Sequence, residues 1–312
     1  MDIKETTISL TKEIRGAVFP HIGKISSRRV TGIADGGDST FAIDEIAETV
    51  TSTFFKDYSD IAYYTEDQGF KVKGSPKWLF IIDPIDGTRP AAAGLESCCV
   101  SVALAPYSKQ AKMKDVTVGA VQEIKSGTLF VAQKDKGVEI INNSFKKNEP
   151  VISHNQDISK LFWTIGFRGR PADVLVTVLG GLIDISSVDG GLFDIGSACF
   201  SSTRLITGQM DAYIDIGKRC LDEVPATKEL FKKVGHGHIL NNNPYDIAAA
   251  ALIMQEAGMV VTDAEGLSLD EYLLIGSGPK YQFSVVAATG KELHLKVLKE
   301  INKGIKKLKE RY

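Results

Sequence analysis

The sequence is poor in the features that mark several protein classes. Its 312 residues hold four cysteines, two adjacent at Cys98 and Cys99 and the others distant at Cys199 and Cys220. There is no CxxC pair and no zinc-ligand spacing, which argues against a disulfide framework or a structural zinc site and for reduced, buried thiols. No uninterrupted apolar run approaches the roughly 18–20 residues that span a bilayer. The charged start MDIKETTISLTKEIRG lacks the apolar centre of a signal peptide. A cytoplasmic protein without membrane contact is expected. Neither sign of charge dominates: 37 Lys and Arg against 39 Asp and Glu leave −2. No global basic field exists to hold DNA or RNA, so a substrate or partner must be recognised locally.

What remains is an ordinary globular composition, 43% hydrophobic and 24% charged, in a chain sized for one large domain or two of about 150 residues. Apolar periodicity predicts a helix over 3–18, ended by Pro20. A Gly- and Asp-rich loop, ADGGDST, follows at 34–40, and FAIDEIAETVTSTFF reads as an amphipathic helix. DIAYYTE, WLFIID (78–83) and SCCVSVALA (97–105) are strand-like, and VTVGAVQEI with GTLFVAQ suggests a hairpin. A polar run to Pro150 reads as a boundary, giving an α+β half over 1–152 and an α/β half over 153–312. In the second half strands are expected at 161–167 and 185–190 and in MDAYIDI. Helices are expected at 171–183, at 197–209 and in YDIAAAALIMQEAG. The polar stretch 218–243 reads as an inserted helix and loop outside the core.

The sharpest feature is Asp83-Pro84-Ile85-Asp86-Gly87-Thr88, directly after the apolar run from Trp78. Two carboxylates three residues apart at a strand end suit a hard cation such as Mg²⁺. Proline stiffens the turn between them, Gly87 allows close backbone approach, and the amides of Gly87 and Thr88 can face an anion. Glu66 follows its own strand in YTED, Asp246 opens a helix, Gly196-Ser197-Ala198 marks another helix start, and Asp44 lies in the early helix. Taken alone, Asp246 also reads as a helix-capping residue.

Together these segments resemble the inositol monophosphatase superfamily of Mg²⁺-dependent phosphatases. DPIDGT stands for the first signature, YDIAAAALIMQEAG for the second and DAYIDIG for a third segment. The resemblance implies a layered αβαβα sugar-phosphatase-type fold. It implies a hydrolase of a small phosphate monoester, foremost inositol monophosphate or fructose 1,6-bisphosphate, with 3'-phosphoadenosine 5'-phosphate as an alternative. A regulatory, RNA-associated homologue with little catalysis is the alternative of a different class. Two or three Mg²⁺ ions are implied between the halves, held by Glu66, Asp83, the Ile85 carbonyl, Asp86 and Asp246. Asp44 and Thr88, with Glu66, would act in catalysis. Gly87, Thr88, Ser197 and Asp215 would contact substrate, and a homodimer is implied.

Several residues depart from the family pattern. Arg89-Pro90-Ala91 follows the first signature where the family has DGTxN, and Tyr245 stands for a Trp. Arg168 and Arg170, in GFRGRP, are candidates for binding a second phosphate or a nucleotide. Lys218, Arg219, Lys232 and Lys233 place the 218–243 segment as a candidate for substrate choice. His236 and His238 read as a polar loop, and the basic amphipathic C-terminal helix as docked on the domain with a solvated Lys face.

Overall fold

A computed structural model describes residues 2–34, 36–144 and 146–312. Asp35, in the Gly- and Asp-rich loop, lies outside the described residues. Helix α1 (Ile3–Val18) is capped by the Asp2 carboxylate, which accepts from the amides of Lys4 and Glu5. A hairpin of β1 (Val30–Ile33) and β2 (Ser39–Phe41) leads into α2 (Ala42–Phe54). Next come β3 (Asp60–Thr65), β4 (Gly69–Gly74), β5 (Trp78–Asp86), α3 (Thr88–Ala93) and β6 (Cys99–Pro106). β7 (Val118–Glu123), β8 (Leu129–Gln133), β9 (Val138–Ile141) and β10 (Lys147–Asn148) follow. The remainder is β11 (Phe162–Ile165), α4 (Ala172–Ser186), β12 (Gly191–Phe193), α5 (Ala198–Ile206), β13 (Ala212–Asp215) and α6 (Gly217–Glu223). After α7 (Lys228–Val234) and α8 (Pro244–Glu256) come β14 (Val260–Thr262), β15 (Val285–Ala288) and α9 (Lys291–Arg311).

The strands make two large sheets. One has the order β10-β9-β8-β7-β6-β5-β3-β4, and the other β12-β11-β13-β15-β14. Alternation along each strand decides the layers, because successive side chains point to opposite faces. From β5, Phe80 and Ile82 face a core with Leu10, Ile14, Ile43 and Ala47 of α1 and α2. Leu79 and Ile81 face the opposite core, with Cys199 and Leu205 of α5 and Ile247 to Met254 of α8. That middle core also takes Tyr213, Val285 and Ala287 from the second sheet. Ala212, Ile214, Val286 and Ala288 point away from it, onto α4 and α9. The result is the five-layer αβαβα arrangement: α1 and α2, sheet, α5 and α8, sheet, α4 and α9. Close approach depends on missing side chains at two places. A Cβ on Gly119 of β7 would lie 2.7 Å from the Ala249 carbonyl oxygen of α8, and one on Gly304 of α9 1.9 Å from the Val178 carbonyl oxygen of α4.

Two expectations are corrected. Residues 185–190 form no strand: 185 and 186 end α4, and pairing to β11 begins at Gly191. The 218–243 segment is not a loop outside the core. Cys220, Val224 and Phe231 are buried with Leu293, Val297 and Ile301 of α9. Apolar residues at helical spacing dock both short helices, although charged and polar residues separate them in the sequence. Three of the four bases expected to face substrate are paired locally instead: Lys218 with Asp222, Arg219 with Glu223 and Lys232 with Glu229. The C-terminal helix docks as expected, through Leu293, Val297, Ile301, Ile305 and Leu308.

Candidate active site

The site begins where β5 stops pairing regularly. Asp83 pairs with Ser101 and Asp86 with Cys99, so one extra residue is accommodated on β5 between them. Such a bulge re-aims side chains, and proline, with no N–H to donate, is at home in it. Asp83 accepts from the Ile85 amide at 3.0 Å, which ties the turn to its own carboxylate. Gly87 then adopts φ 88°, and a Cβ there would meet the Ser97 carbonyl oxygen at 2.5 Å, so glycine is required. Asp246 sits in the first turn of α8 and accepts from the Asn243 amide at 2.6 Å. It is therefore both a capping residue and part of the site. Asp83, Asp86 and Asp246 are buried and bring carboxylate oxygens within 4.8 Å of one another.

Glu66, on the turn after β3, stands outside that trio but lines the same pocket, whose volume is about 600 Å³. Burial, then repulsion from Asp83, pushes the Glu66 carboxyl well above its usual range. Burial and Asp86 do the same to Asp83, and burial lifts Asp246 to about 7. Asp86 is raised by burial too, against the pull of hydrogen bonds from Ser197 and Cys199. Backbone amides and the Ser197 hydroxyl donate to the trio. Oxygen-only ligands crowded together in a low-dielectric place fit hard divalent cations, whose charge would remove the repulsion.

Beside this cluster, the Thr88 hydroxyl lies 3.0 Å from both Asp44 Oδ1 and the Ile85 carbonyl oxygen. Asp44 is held from its other side by the Phe41 amide at 2.7 Å, which places it at the start of α2. Burial raises its carboxyl to about 7, with repulsion from Asp67 adding to the shift. A carboxylate poised there can gain or lose a proton at neutral pH.

Other expected residues are placed differently. Ser197 lines the pocket, but its hydroxyl donates to Asp86 at 2.6 Å and caps α5 by accepting from the Phe200 amide. The amides of Ala198 and Cys199 also turn to Asp86, at 3.3 and 2.5 Å. The anion held by this helix end is a protein carboxylate. Asp215 is wholly buried, paired with Arg170 and bonded to Asn242 and the Gly217 amide, and is not part of the pocket lining. Arg170 lines the pocket, yet its guanidinium is spent on Asp215 and on the Arg168 carbonyl oxygen. Arg168 lines the pocket and pairs with Asp38. Sequence reasoning missed Arg89, which also lines the pocket and reaches Asp38 at 3.1 Å, and the exposed apolar wall of Leu95 and Phe167. Arg89 was visible only as a departure after DGT; nothing local in the sequence marks Leu95.

A family model described as the inositol monophosphatase family matches residues 28–306. A bifunctional NADP phosphatase/NAD kinase of Methanococcus maripaludis is 28% identical over 89% of the chain, which spans only 46% of that longer protein. A fructose-1,6-bisphosphatase/inositol-1-monophosphatase of Methanothermobacter thermautotrophicus is 25% identical, with 96% of each chain covered. Among solved structures, the Thermotoga maritima IMPase superposes with a TM-score of 0.69 at 21% identity, over 99% of this chain and 100% of its own. That likeness shows the fold.

Proposed function

The chain belongs to the inositol monophosphatase family, and from that premise we propose that it is a metal-dependent hydrolase of small phosphate monoesters. The observation that carries the reading is the buried trio Asp83, Asp86 and Asp246, opening with Glu66 onto one pocket beside the Thr88–Asp44 pair. Those four acids, with the Ile85 carbonyl, are the groups that would hold Mg²⁺, two or three ions by the family pattern. Bound there, such ions supply charge neutralisation of phosphate oxygens and a lowered pKa of water. The chain's own residues do the rest. The amides of Gly87 and Thr88 offer donors to phosphate oxygens. The Thr88 hydroxyl takes a proton from the attacking water as it passes its own to Asp44, whose raised pKa makes it a competent acceptor near pH 7. Arg170 and Asp215 brace the loop that carries Arg168.

Inositol monophosphate and fructose 1,6-bisphosphate are the foremost substrates. A second reading, a phosphorylated nucleotide such as 3'-phosphoadenosine 5'-phosphate, is favoured by the pocket wall. Leu95 is 57% and Phe167 49% exposed there, a surface that a purine can cover and a polyol cannot use. The relative whose name includes an NADP phosphatase supports it as well. No helix among the described residues is long and apolar enough to cross a membrane, and a homodimer is the family expectation, checked by light scattering. The test of function is phosphate release from these three compounds with Mg²⁺ and with EDTA. Release confined to Mg²⁺ supports the reading; equal release in EDTA, or none from any phosphate monoester, overturns it.

A further inference from the structure

Arg89 and Arg168 come from opposite halves of the chain, one from the first turn of α3 beside Thr88, the other from the loop after β11. Both line the pocket, and both converge on a single carboxylate: Arg89 on Asp38 Oδ1 and Arg168 on Asp38 Oδ2. Asp38 is buried, at 7% exposure, whereas the arginine side chains remain 43% and 42% exposed. Two guanidinium groups carry two positive charges and about ten N–H donors, and one carboxylate offers a single negative charge and two acceptor atoms. Set against Asp38 alone, the pair carries one surplus positive charge and spare N–H donors, at the edge of a pocket that Glu66, Asp83, Asp86 and Asp246 also line. Oxygens of a tetrahedral dianion match such a fork better than a carboxylate does, in charge and in acceptor number. Arg170 has no such freedom, being closed on Asp215.

We propose that Arg89 and Arg168 form a subsite for a second anionic group of the substrate, and that Asp38 occupies it in the resting protein as a built-in substitute. This deepens the hydrolase reading and rests on it. A substrate with two anionic groups displaces Asp38 and gains both arginines. A substrate with one phosphate leaves Asp38 in place. The device selects for doubly anionic substrates, a sugar bisphosphate or a nucleotide with two phosphates, and Asp38 sets how strongly.

The test compares fructose 1,6-bisphosphate with 4-nitrophenyl phosphate in the full-length protein with saturating Mg²⁺. Asp38→Asn keeps the shape and removes the competing charge. It should lower KM for the bisphosphate about 3- to 10-fold, the worth of one or two partly exposed ion pairs, and shift KM for the aryl phosphate less than about twofold. Arg89→Gln and Arg168→Gln should each raise KM for the bisphosphate by a similar factor. Asp38→Asn should lose its effect in the Arg168→Gln background, since the two act through one contact. Equal KM changes for both substrates would make Asp38 a strut between loops, and a changed Mg²⁺ half-saturation with an unchanged KM ratio would make it a metal ligand; either overturns the proposal. If the unmutated protein hydrolyses neither compound, the hydrolase reading falls first. If it hydrolyses both and the ratio ignores Asp38, only the subsite falls.

Discussion

Ser197→Ala separates two roles that the sequence could not. As a substrate contact, Ser197 would act on KM. As the structure has it, its hydroxyl donates to Asp86 at 2.6 Å and accepts from the Phe200 amide at 3.0 Å. A hydrogen bond to a charged group contributes about 1.5–3 kcal/mol, which corresponds to roughly 10- to 150-fold in an equilibrium constant at about 1.4 kcal/mol per decade. Loss of an outer partner of a metal ligand costs about 10- to 100-fold in metal affinity, the same range. The variant should thus need about 10–100 times more Mg²⁺ for half-maximal activity. KM for substrate, at saturating Mg²⁺, should change less than about threefold, because the hydroxyl is engaged by Asp86 and the Phe200 amide and not by substrate. The penalty should shrink as pH rises. Without the hydroxyl, Asp86 is lifted further by burial, and a bound proton competes with the metal most at low pH. Loss of the α5 cap costs about 1 kcal/mol, a fall in Tm on the order of 2 °C for a large domain. The assay is phosphate release against Mg²⁺ concentration at pH 6 and 8.5, with thermal melts alongside. A raised KM with unchanged Mg²⁺ dependence would return Ser197 to the substrate and refute the assignment.

Three further outcomes follow from the same site. Asp83→Asn should reduce turnover by well over the roughly 100-fold typical of an outer-shell loss, yet melt higher than the unmutated protein in EDTA, since it removes a repelling charge from the buried trio; activity within a few fold of normal would take Asp83 out of the centre. Burial lifts the folded Asp246 carboxyl from its ordinary 3.8 to about 7, so the metal-free folded chain should bind more protons than the unfolded one across that window and its stability should fall as pH rises through it. Melts in EDTA and in Mg²⁺ should therefore diverge more at pH 8 than at pH 5.5, and a gap independent of pH would contradict the shift. Phe231→Ala, in the supposed insertion, should destabilise by about 3–5 kcal/mol by urea melts while leaving the ranking of substrates untouched; an altered ranking with normal stability would restore the segment to the pocket.

The elements most readable from sequence were those whose pattern is set by their own burial. Helix α1 falls where apolar periodicity puts it and strand β5 begins where its unbroken apolar run does, because α1 buries one face and β5 both. The acidic cluster was readable for a different reason: Asp83 and Asp86 are bound to their spacing by the bulge and by Gly87, a geometry few residues tolerate. What escaped was pairing across the chain. Nothing near Ser197 announces that its helix end faces Asp86, 111 residues earlier, and nothing near Arg170 announces the buried Asp215 that consumes it. Charged residues were read as reaching outward, but a buried carboxylate demands a partner, and the nearest available arginine is taken inward. The 218–243 segment failed for the converse reason: buried Cys220, Val224 and Phe231, with Leu221, Leu230 and Ile239 packed beside them, dock a stretch that is polar on average.

The 2.7 Å between the Ala249 carbonyl oxygen and the place where a side chain on Gly119 would begin bears on the carboxylates as well. Asp83 and Asp86 ride on a sheet, and Asp246 on a helix laid across that sheet. The span of the trio is consequently a packing thickness, set by the missing methyl of Gly119 and the small run Ala248 to Ala251. A single carbon added on β7 would wedge the helix outward and carry Asp246 with it, changing the carboxylate spacing without touching any of the three acids. Carboxylate spacing here behaves as a shim height, so, on the proposed metal reading, substitutions that swell the middle layer are where divergent metal preference should be sought.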